Sequence, residues 1–162
     1  ITGLIHWAQD KLLLTRSRFK FLNGIKDDND LHHRKPAAMT QFTAWQNINT
    51  SAVFACPLAA ILFMMGVPGV IGLAILFSSL GNLIHRFAHM PKRKLNRPIR
   101  FMQALGLFIS AEHHGVHHFD ANGTIEKENT TVRYCPMTNW VNPLLDRMGF
   151  FPFLERLFLR KK

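Results

Sequence analysis

Histidines are the residues of this sequence best suited to do chemistry, because their spacing collects them into groups. Nine of the 162 residues are histidine. The four groups are His6 with Asp10, His32 with His33, His85 with His89, and the run His113, His114, His117 and His118. Imidazole nitrogens bind iron, zinc, copper and nickel, and one ion needs only three or four protein ligands. Eight or nine histidines and a carboxylate therefore suffice for two metal ions.

The spacing inside the groups is helical. Residues three and four apart share one face of a helix, which relates His6 to Asp10, His85 to His89 and His114 to His118. Each group taken alone is compatible with structural or solvated histidines. Four groups that border one apolar segment favour a common metal site. Two irons held there could use O₂ to attack an unactivated C–H bond, in a site kept from water.

Two acidic residues flank the histidine run, Glu112 before it and Asp120 after it. Carboxylates near metal-binding imidazoles often orient them through hydrogen bonds. The sequence leaves two interpretations open for both residues: hydrogen-bond partners of metal ligands, or solvated charges.

The apolar segment covers residues 36–84, which contain no Asp, Glu, Lys or Arg. A helix of about 20 apolar residues crosses a bilayer, so this run suits a membrane. Its Gly-Val-Pro-Gly tetrapeptide at residues 66–69 has strong turn chemistry. We therefore predict a transmembrane hairpin with helices at residues 45–65 and 67–89. The alternatives are one long span kinked at Pro57 and a buried hairpin in a soluble core.

Charge predicts how the hairpin is oriented. The basic residues at its two outer ends are Arg34 and Lys35 before it, and Arg86, Lys92, Arg93 and Lys94 after it. The predicted turn carries no charge. By the positive-inside rule, both ends face the cytoplasm, and all four histidine groups can meet on that side.

Shorter elements are expected near the start of the chain. Residues 1–8 read as the end of an apolar helix, and we expect an earlier span to precede it. Residues 11–35 are polar and basic, with an acidic turn at Asp27, Asp28 and Asp30.

Two more helices are predicted after the hairpin. One covers residues 98–118, and its apolar middle is too short to span a membrane. The other covers residues 140–159, where aromatic residues alternate with arginines as in a helix lying in the membrane interface. The predicted fold is thus an all-α integral membrane protein with a transmembrane hairpin, a cytoplasmic-side metal site and a C-terminal interfacial helix.

Composition excludes several classes of protein. Two cysteines are too few for a disulfide scaffold. The formal charge of +10 suits an anionic membrane surface. We expect no nucleic-acid partner, because the basic residues flank an apolar hairpin and no recognition motif is present. A membrane metal-binding or transport protein remains an alternative, although transport predicts polar groups within the spans, and Asn47, Asn49 and Asn82 lie mostly at the ends of the block.

Five motifs resemble, in order, those of the Kua/plasmanylethanolamine desaturase family of membrane lipid desaturases, which includes plant plastid phosphatidylglycerol desaturases. The segments are GLIHWAQD at residues 3–10, DLHHRKP at 30–36, NLIHRFAH at 82–89, LFISAEHHGVHH at 107–118 and YCPMTNWVNPLLDRMGFFPFLE at 134–155. The polar link at residues 119–133 is longer than in many relatives, which leaves the substrate open.

The resemblance implies a single desaturase domain over residues 1–162 that lacks one or more N-terminal spans. It also implies metal ligands at His6, His32, His33, His85, His89, His114, His117 and His118. Asp10 carries over as a ligand or as an acid that orients a ligand, and His113 matches less securely. No substrate-binding residue is indicated.

The implied activity is O₂-dependent desaturation of an alkyl-ether or acyl chain of a phospholipid by two iron ions. The electrons would come from an external carrier such as cytochrome b5 or ferredoxin. The implied location is the endoplasmic reticulum of a eukaryote or the inner membrane of a bacterium. A diiron lipid hydroxylase is the alternative, since it shares the first hydrogen abstraction and differs only in the outcome.

Overall fold

The computed structural model describes residues 2–12, 16–119 and 132–159, and the regular elements of these ranges are all helical, as predicted. The α-helices are α1 (Thr2–Leu12), α2 (Lys20–Arg34), α3 (Ala44–Met64), α4 (Gly69–Ser78), α5 (Gly81–Ala88), α6 (Arg97–Ala104), α7 (Ala111–His118), α8 (Val141–Arg147) and α9 (Phe150–Phe158). Short 3-10 helices at Pro36–Gln41 and Lys92–Lys94 precede α3 and α6.

Two apolar stretches are long enough to cross a membrane. They are Ala44–Met64, with 21 residues, and Gly69–Ala88, with 20 residues. Thr43 begins the first with a capping box, in which its hydroxyl accepts from the Gln46 N–H and the Gln46 side chain accepts from the Thr43 N–H. Only 18% and 28% of their most apolar windows are buried. So much uncovered apolar surface does not fit the core of a soluble protein.

Helices α3 and α4 pack against each other through small and branched residues. Ala55, Ala59 and Ile75 form a buried cluster between them, and small residues allow such helices to approach closely. Asn82 of α5 donates a hydrogen bond to the Thr50 hydroxyl of α3 at 3.1 Å. The start of the first apolar helix therefore lies beside the end of the second.

The second apolar stretch is not one regular helix, as residues 67–89 were predicted to be. It divides into α4 and α5, with Ser79 and Leu80 between them. The Ser78 and Ser79 hydroxyls each donate at 2.6 Å to a carbonyl three residues earlier. Serine hydroxyls compete in this way with the helical hydrogen bonds and favour a bend, and Gly81 follows directly.

The predicted helix over residues 98–118 is wrong in its middle. Helix α6 ends at Ala104 and α7 begins at Ala111. Gly106 lies between them with φ of 72°, a left-handed conformation that cannot continue a right-handed helix. A Cβ atom at Gly106 would also overlap the indole of Trp140. The backbone therefore needs glycine at this position.

The predicted helix over residues 140–159 is also divided. Gly149, with φ of 61°, separates α8 from α9. Helix α9 buries Phe151 and exposes Phe153, Leu157 and Phe158. Helix α9 therefore carries several exposed apolar side chains, and it covers only part of the predicted segment.

The N-terminal region contains more helix than the sequence predicted. Helix α1 continues past residue 8 to Leu12. The predicted acidic turn is wrong, because Asp27, Asp28 and Asp30 lie inside α2. Lys26 and Asp30 form an i,i+4 ion pair of 2.7 Å on this helix.

Two further buried clusters hold the helices around the histidines. One contains Ile84, Ala88, Ile109, Cys135 and Met137, and it joins α5 to the segments on either side of α7. The other contains Trp7, Tyr134 and Phe151, and it joins α1 to α9. These clusters set the distances between the helices that carry the predicted ligands.

Candidate metal centre

Four helices bring the histidine groups together. They are α1 with His6 and Asp10, α2 with His32 and His33 at its end, α5 with His85 and the following His89, and α7 with His114, His117 and His118. Ser110 fixes the start of α7, because its hydroxyl accepts from the N–H of His113 at 3.2 Å. Helical spacing then turns three histidines of α7 inward, and all three are buried.

The candidate metal ligands form two clusters, and the first of these contains only histidines. Its members are His32, His85, His89, His114 and His118, and their ligand nitrogens lie within 4.8 Å of one another. The Nε2 atom of His114 is 2.6 Å from that of His85 and 2.9 Å from that of His118. The Nε2 atom of His89 is 3.1 Å from that of His85. Two nitrogens bound to one ion at about 2.0–2.1 Å lie roughly 3 Å apart, so these separations suit ligands of a common ion.

Hydrogen bonding within this cluster cannot satisfy all of its nitrogens. The Nε2 atoms of His89, His85, His114 and His118 form a chain with three contacts. Each neutral ring nitrogen offers either one proton or one lone pair. At most two of the three contacts can then be ordinary two-centre hydrogen bonds. A cation placed among the four lone pairs would satisfy them together.

The second cluster combines histidines with a carboxylate. Its members are His6, Asp10, His33 and His117, again with ligand atoms within 4.8 Å of one another. Asp10 Oδ1 lies 2.9 Å from His33 Nε2, and Asp10 Oδ2 lies 3.2 Å from His117 Nε2 and 3.7 Å from His6 Nε2. Three nitrogens and a carboxylate thus point into one small space.

Burial controls the protonation of these groups. It lowers the pKa of His6 to about 4, against a partial opposing effect of Asp10. It also lowers the pKa of His32 and His114 well below the usual range. Burial alone would raise the pKa of Asp10, but His6, His117 and His33 together hold it well below its usual range. Neutral imidazoles and a charged carboxylate are the forms that bind metal ions.

Two imidazole rings of the second cluster are oriented by backbone carbonyls. His6 Nδ1 donates to the Tyr134 carbonyl at 3.2 Å, and His117 Nδ1 donates to the Val132 carbonyl at 3.0 Å. A carbonyl can only accept, so both rings carry their proton on Nδ1 and present the Nε2 lone pair to the cluster. This arrangement is typical of metal-binding histidines.

The two clusters are neighbours. The ring centroids of His33 and His118, which belong to different clusters, are 5.0 Å apart. Those of His6 and His85 are 5.5 Å apart. The two clusters therefore adjoin each other through these rings.

Most of the predicted site residues lie in these clusters, namely the eight histidines at positions 6, 32, 33, 85, 89, 114, 117 and 118, and Asp10. His113 belongs to neither cluster. Its ring is half-buried, burial lowers its pKa, and its carbonyl accepts from the Arg133 side chain at 3.1 Å. Glu112 is exposed and pairs with Lys92, so it orients neither cluster. Asp120 lies outside the described residues.

Several groups around the clusters were not predicted from the sequence. Asn29 donates to Asp10 Oδ1 at 2.8 Å, and the carbonyls of Val132 and Tyr134 orient two rings. Asn29 is three residues before His32 on α2, so helical spacing could have indicated it. No side-chain pattern indicates a backbone carbonyl, which depends on where the chain passes.

Imidazole nitrogens with one carboxylate fit borderline transition metals such as iron. The fold and the site thus define a helical protein with two apolar helices of membrane-spanning length and two histidine-rich clusters that could hold metal ions. The profile of the family described as the lipid desaturase domain matches residues 1–161, so the chain belongs to that family. This confirms the resemblance to the Kua/plasmanylethanolamine desaturases and makes the protein a lipid desaturase homologue with a membrane context.

Individual relatives are distant. A probable fatty acid desaturase of Acanthamoeba polyphaga mimivirus is 24% identical over 96% of this chain and 74% of its own length. A plasmanylethanolamine desaturase of Myxococcus xanthus is 24% identical over 97% of this chain and 55% of its own length. A chloroplastic fatty acid desaturase 4-like protein of Arabidopsis thaliana is 26% identical over 95% of this chain and 53% of its own length. The chain therefore spans about half the length of the last two relatives. No solved structure matches it.

Proposed function

We propose that this chain is the catalytic domain of an O₂-dependent membrane lipid desaturase with two irons at the clustered histidines. It would introduce a double bond into an alkyl-ether or acyl chain of a phospholipid. The observation that carries this proposal is the pair of adjacent clusters, one of five histidines and one of three histidines with Asp10. One ion needs only three or four protein ligands, so nine ligand groups in two clusters suit two ions.

The protein residues have three tasks in this proposal. The five histidines of the first cluster would hold one ion, and His6, His33, His117 and Asp10 would hold the other. The Tyr134 and Val132 carbonyls keep His6 and His117 in the ligating tautomer. His114, His117 and His118 are buried, so they also exclude bulk water from the centre. Iron held there would supply the O₂ chemistry that removal of hydrogen from an unactivated carbon requires.

The membrane arrangement follows from apolar surface and charge. We propose that Ala44–Met64 and Gly69–Ala88 form a transmembrane hairpin whose two ends face the cytoplasm, with the metal centre beside them. Helix α9 would lie in the interface, since Phe153, Leu157 and Phe158 are exposed on it. The membrane would be that of the endoplasmic reticulum in a eukaryote or the inner membrane in a bacterium.

An external carrier would supply the electrons. Cytochrome b5 or ferredoxin is the class of partner that we propose, and both are small electron-transfer proteins. Lys92, Arg93 and Lys94 form an exposed basic helix directly after His89. Such a surface favours encounter with an acidic carrier or with anionic lipid headgroups.

Lipid analysis tests the proposed activity. The full-length protein that contains this chain is produced in a host that lacks the desaturated lipid. The membrane lipids of this host are compared with those of the same host producing the His89→Ala variant. We expect a new phospholipid species that has lost two hydrogens. A species that has gained an oxygen atom derived from O₂ would instead support the hydroxylase alternative. Bound metal without any lipid change would favour the non-enzymatic metal-binding or transport alternative.

A further inference from the structure

A segment without regular secondary structure, residues 132–135, passes beside the carboxylate-containing cluster and contacts two of its candidate ligands. The carbonyl of Val132 accepts a hydrogen bond from His117, and the carbonyl of Tyr134 accepts one from His6. The two carbonyls are two residues apart. They belong to the peptide units 132–133 and 134–135.

The opposite ends of the same two peptide units are bound by α8. The N–H of Arg133 donates to Asp146 Oδ1 at 3.1 Å, and the N–H of Cys135 donates to Asn142 Oδ1 at 2.8 Å. Asn142 also donates to the Cys135 carbonyl at 2.9 Å and is fully buried. Asn142 and Asp146 are four residues apart and therefore share one face of α8.

Each peptide unit thus connects an α8 side chain to a metal-ligating ring. In one series of hydrogen bonds, the Asn142 side chain accepts from the N–H of the 134–135 unit, and the carbonyl of that unit accepts from the His6 ring. In the other, Asp146 accepts from the 132–133 unit, whose carbonyl accepts from His117. A peptide unit is planar and rigid, so a hydrogen bond at its N–H end fixes the direction of its carbonyl. Serial hydrogen bonds also polarise one another, and this strengthens the bond to the imidazole.

We propose that Asn142 and Asp146 are positioning residues that hold His6 and His117 as Nε2 ligands through the two peptide units. They would thereby set the metal affinity of the cluster that contains Asp10, and not that of the five-histidine cluster. This inference rests on the proposed function, because it assumes that each of the two clusters binds iron.

The selectivity follows from the contacts of the other cluster. Within the described residues, the buried Nδ1 atoms of His32, His114 and His118 make no hydrogen bond. The Nδ1 atoms of His6 and His117 do make one, to the segment that α8 holds. Loss of the hydrogen bonds between α8 and this segment should therefore release two ligands of the carboxylate-containing cluster and leave the five-histidine cluster intact.

The test measures iron in each cluster separately. The full-length protein is purified without oxygen and loaded with ferrous iron enriched in the Mössbauer-active isotope. Asn142→Leu and Asp146→Ala are compared with the native protein after graded treatment with a chelator. We expect both variants to lose one of two Mössbauer components at a chelator concentration about 10-fold lower than the native protein. This is the lower end of the effect of removing a direct hydrogen-bond partner of a ligand, because these side chains act one hydrogen bond further out. Iron per chain should fall from two towards one.

Two further variants separate positioning from general destabilisation. Asp146→Asn keeps a side-chain oxygen that can accept from Arg133, so it should retain the native iron content. Asn47→Leu removes a buried amide that donates to the Phe42 and Thr43 carbonyls in the first turn of α3, and it should leave both iron components unchanged.

Equal loss of both components in Asp146→Ala, or native chelator resistance in that variant, would overturn the inference. Should Asn142→Leu fail to accumulate, the Asp146→Ala and Asp146→Asn pair decides the question alone. A native protein that never holds two irons would contradict the proposed function instead, so the two failures are distinct.

Discussion

The Nε2 atoms of His85 and His114 lie 2.6 Å apart, although 29 residues separate them in the sequence. Helix α5 carries the first and α7 the second. Ile84 and Ala88 of α5 pack against Ile109, just before α7, in one buried cluster. An apolar contact between α5 and the segment that leads into α7 therefore helps to set the distance between two candidate ligands.

The first prediction concerns two histidines of α7 with opposite placements. His117 lies in the carboxylate-containing cluster, whereas His113 lies in neither cluster. We expect His117→Ala to lower lipid turnover by at least about 100-fold, because the variant loses a candidate ligand that the remaining members of the cluster cannot replace. We expect His113→Ala, the matched control, to keep its iron and to retain partial activity. The measurement is turnover in membranes per unit of protein, with iron determined on the same samples. Near-native iron and turnover in both His117→Ala and His89→Ala would remove the clusters from the active site.

The second prediction concerns pH. Burial lowers the pKa of His6 to about 4, so the folded protein keeps this ring neutral while an unfolded chain protonates it below about 6.5. The unfolded state then binds more protons between these values, so the free energy of unfolding of the metal-free protein should fall as the pH drops from about 6.5 to 4. It should change little between pH 7 and pH 8.

Denaturant unfolding of the metal-free protein in detergent at each pH measures this effect. Asp10 stays charged over the whole interval, since its pKa is held well below the usual range. The loss of stability should therefore follow protonation of histidines in the unfolded chain. A free energy of unfolding that is the same at pH 7 and pH 4.5 would contradict the burial of a neutral His6.

The third prediction concerns topology. Val67 lies in the turn between α3 and α4, and Arg93 lies in the exposed basic helix after α5. In a Cys56→Ala background, a cysteine placed at Val67 should react with a membrane-impermeant reagent only from the non-cytoplasmic side. A cysteine placed at Arg93 should react only from the cytoplasmic side. Cys135 is buried and serves as the unreactive internal reference. Labelling of both positions from one side would exclude the transmembrane hairpin.

The fourth prediction concerns two glycines in the same backbone conformation. Gly66 has φ of 74° and open space around it, whereas Gly106 has φ of 72° and abuts the Trp140 indole. Alanine at either position costs about 1–2 kcal/mol of backbone strain. Gly106→Ala should destabilise the protein by roughly 1–3 kcal/mol more than Gly66→Ala, because it also overpacks the indole. Thermal unfolding in detergent compares the two, and equal losses would show that the indole moves aside at no cost.

Part of this arrangement was determined by the sequence alone. The apolar residues 36–84 indicated two helices of membrane-spanning length, because a charge-free run of that size has few other uses. Histidine spacing indicated helical faces, and α5 and α7 carry their histidines on such faces. Both signals are local, since hydrophobic periodicity and i,i+4 spacing depend only on neighbouring residues.

Tertiary structure alone decided how the ligands are divided. His117 and His118 are adjacent in the sequence, yet they lie in different clusters, because the His117 ring lies beside His6 of α1 whereas the His118 ring lies beside His89 after α5. The close contact at the Gly106 break likewise depends on Trp140, whose indole comes much later in the sequence and abuts this glycine. No local pattern marks the carbonyls of Val132 and Tyr134 as partners of ligands. Their role comes from long-range packing, which sequence spacing does not encode.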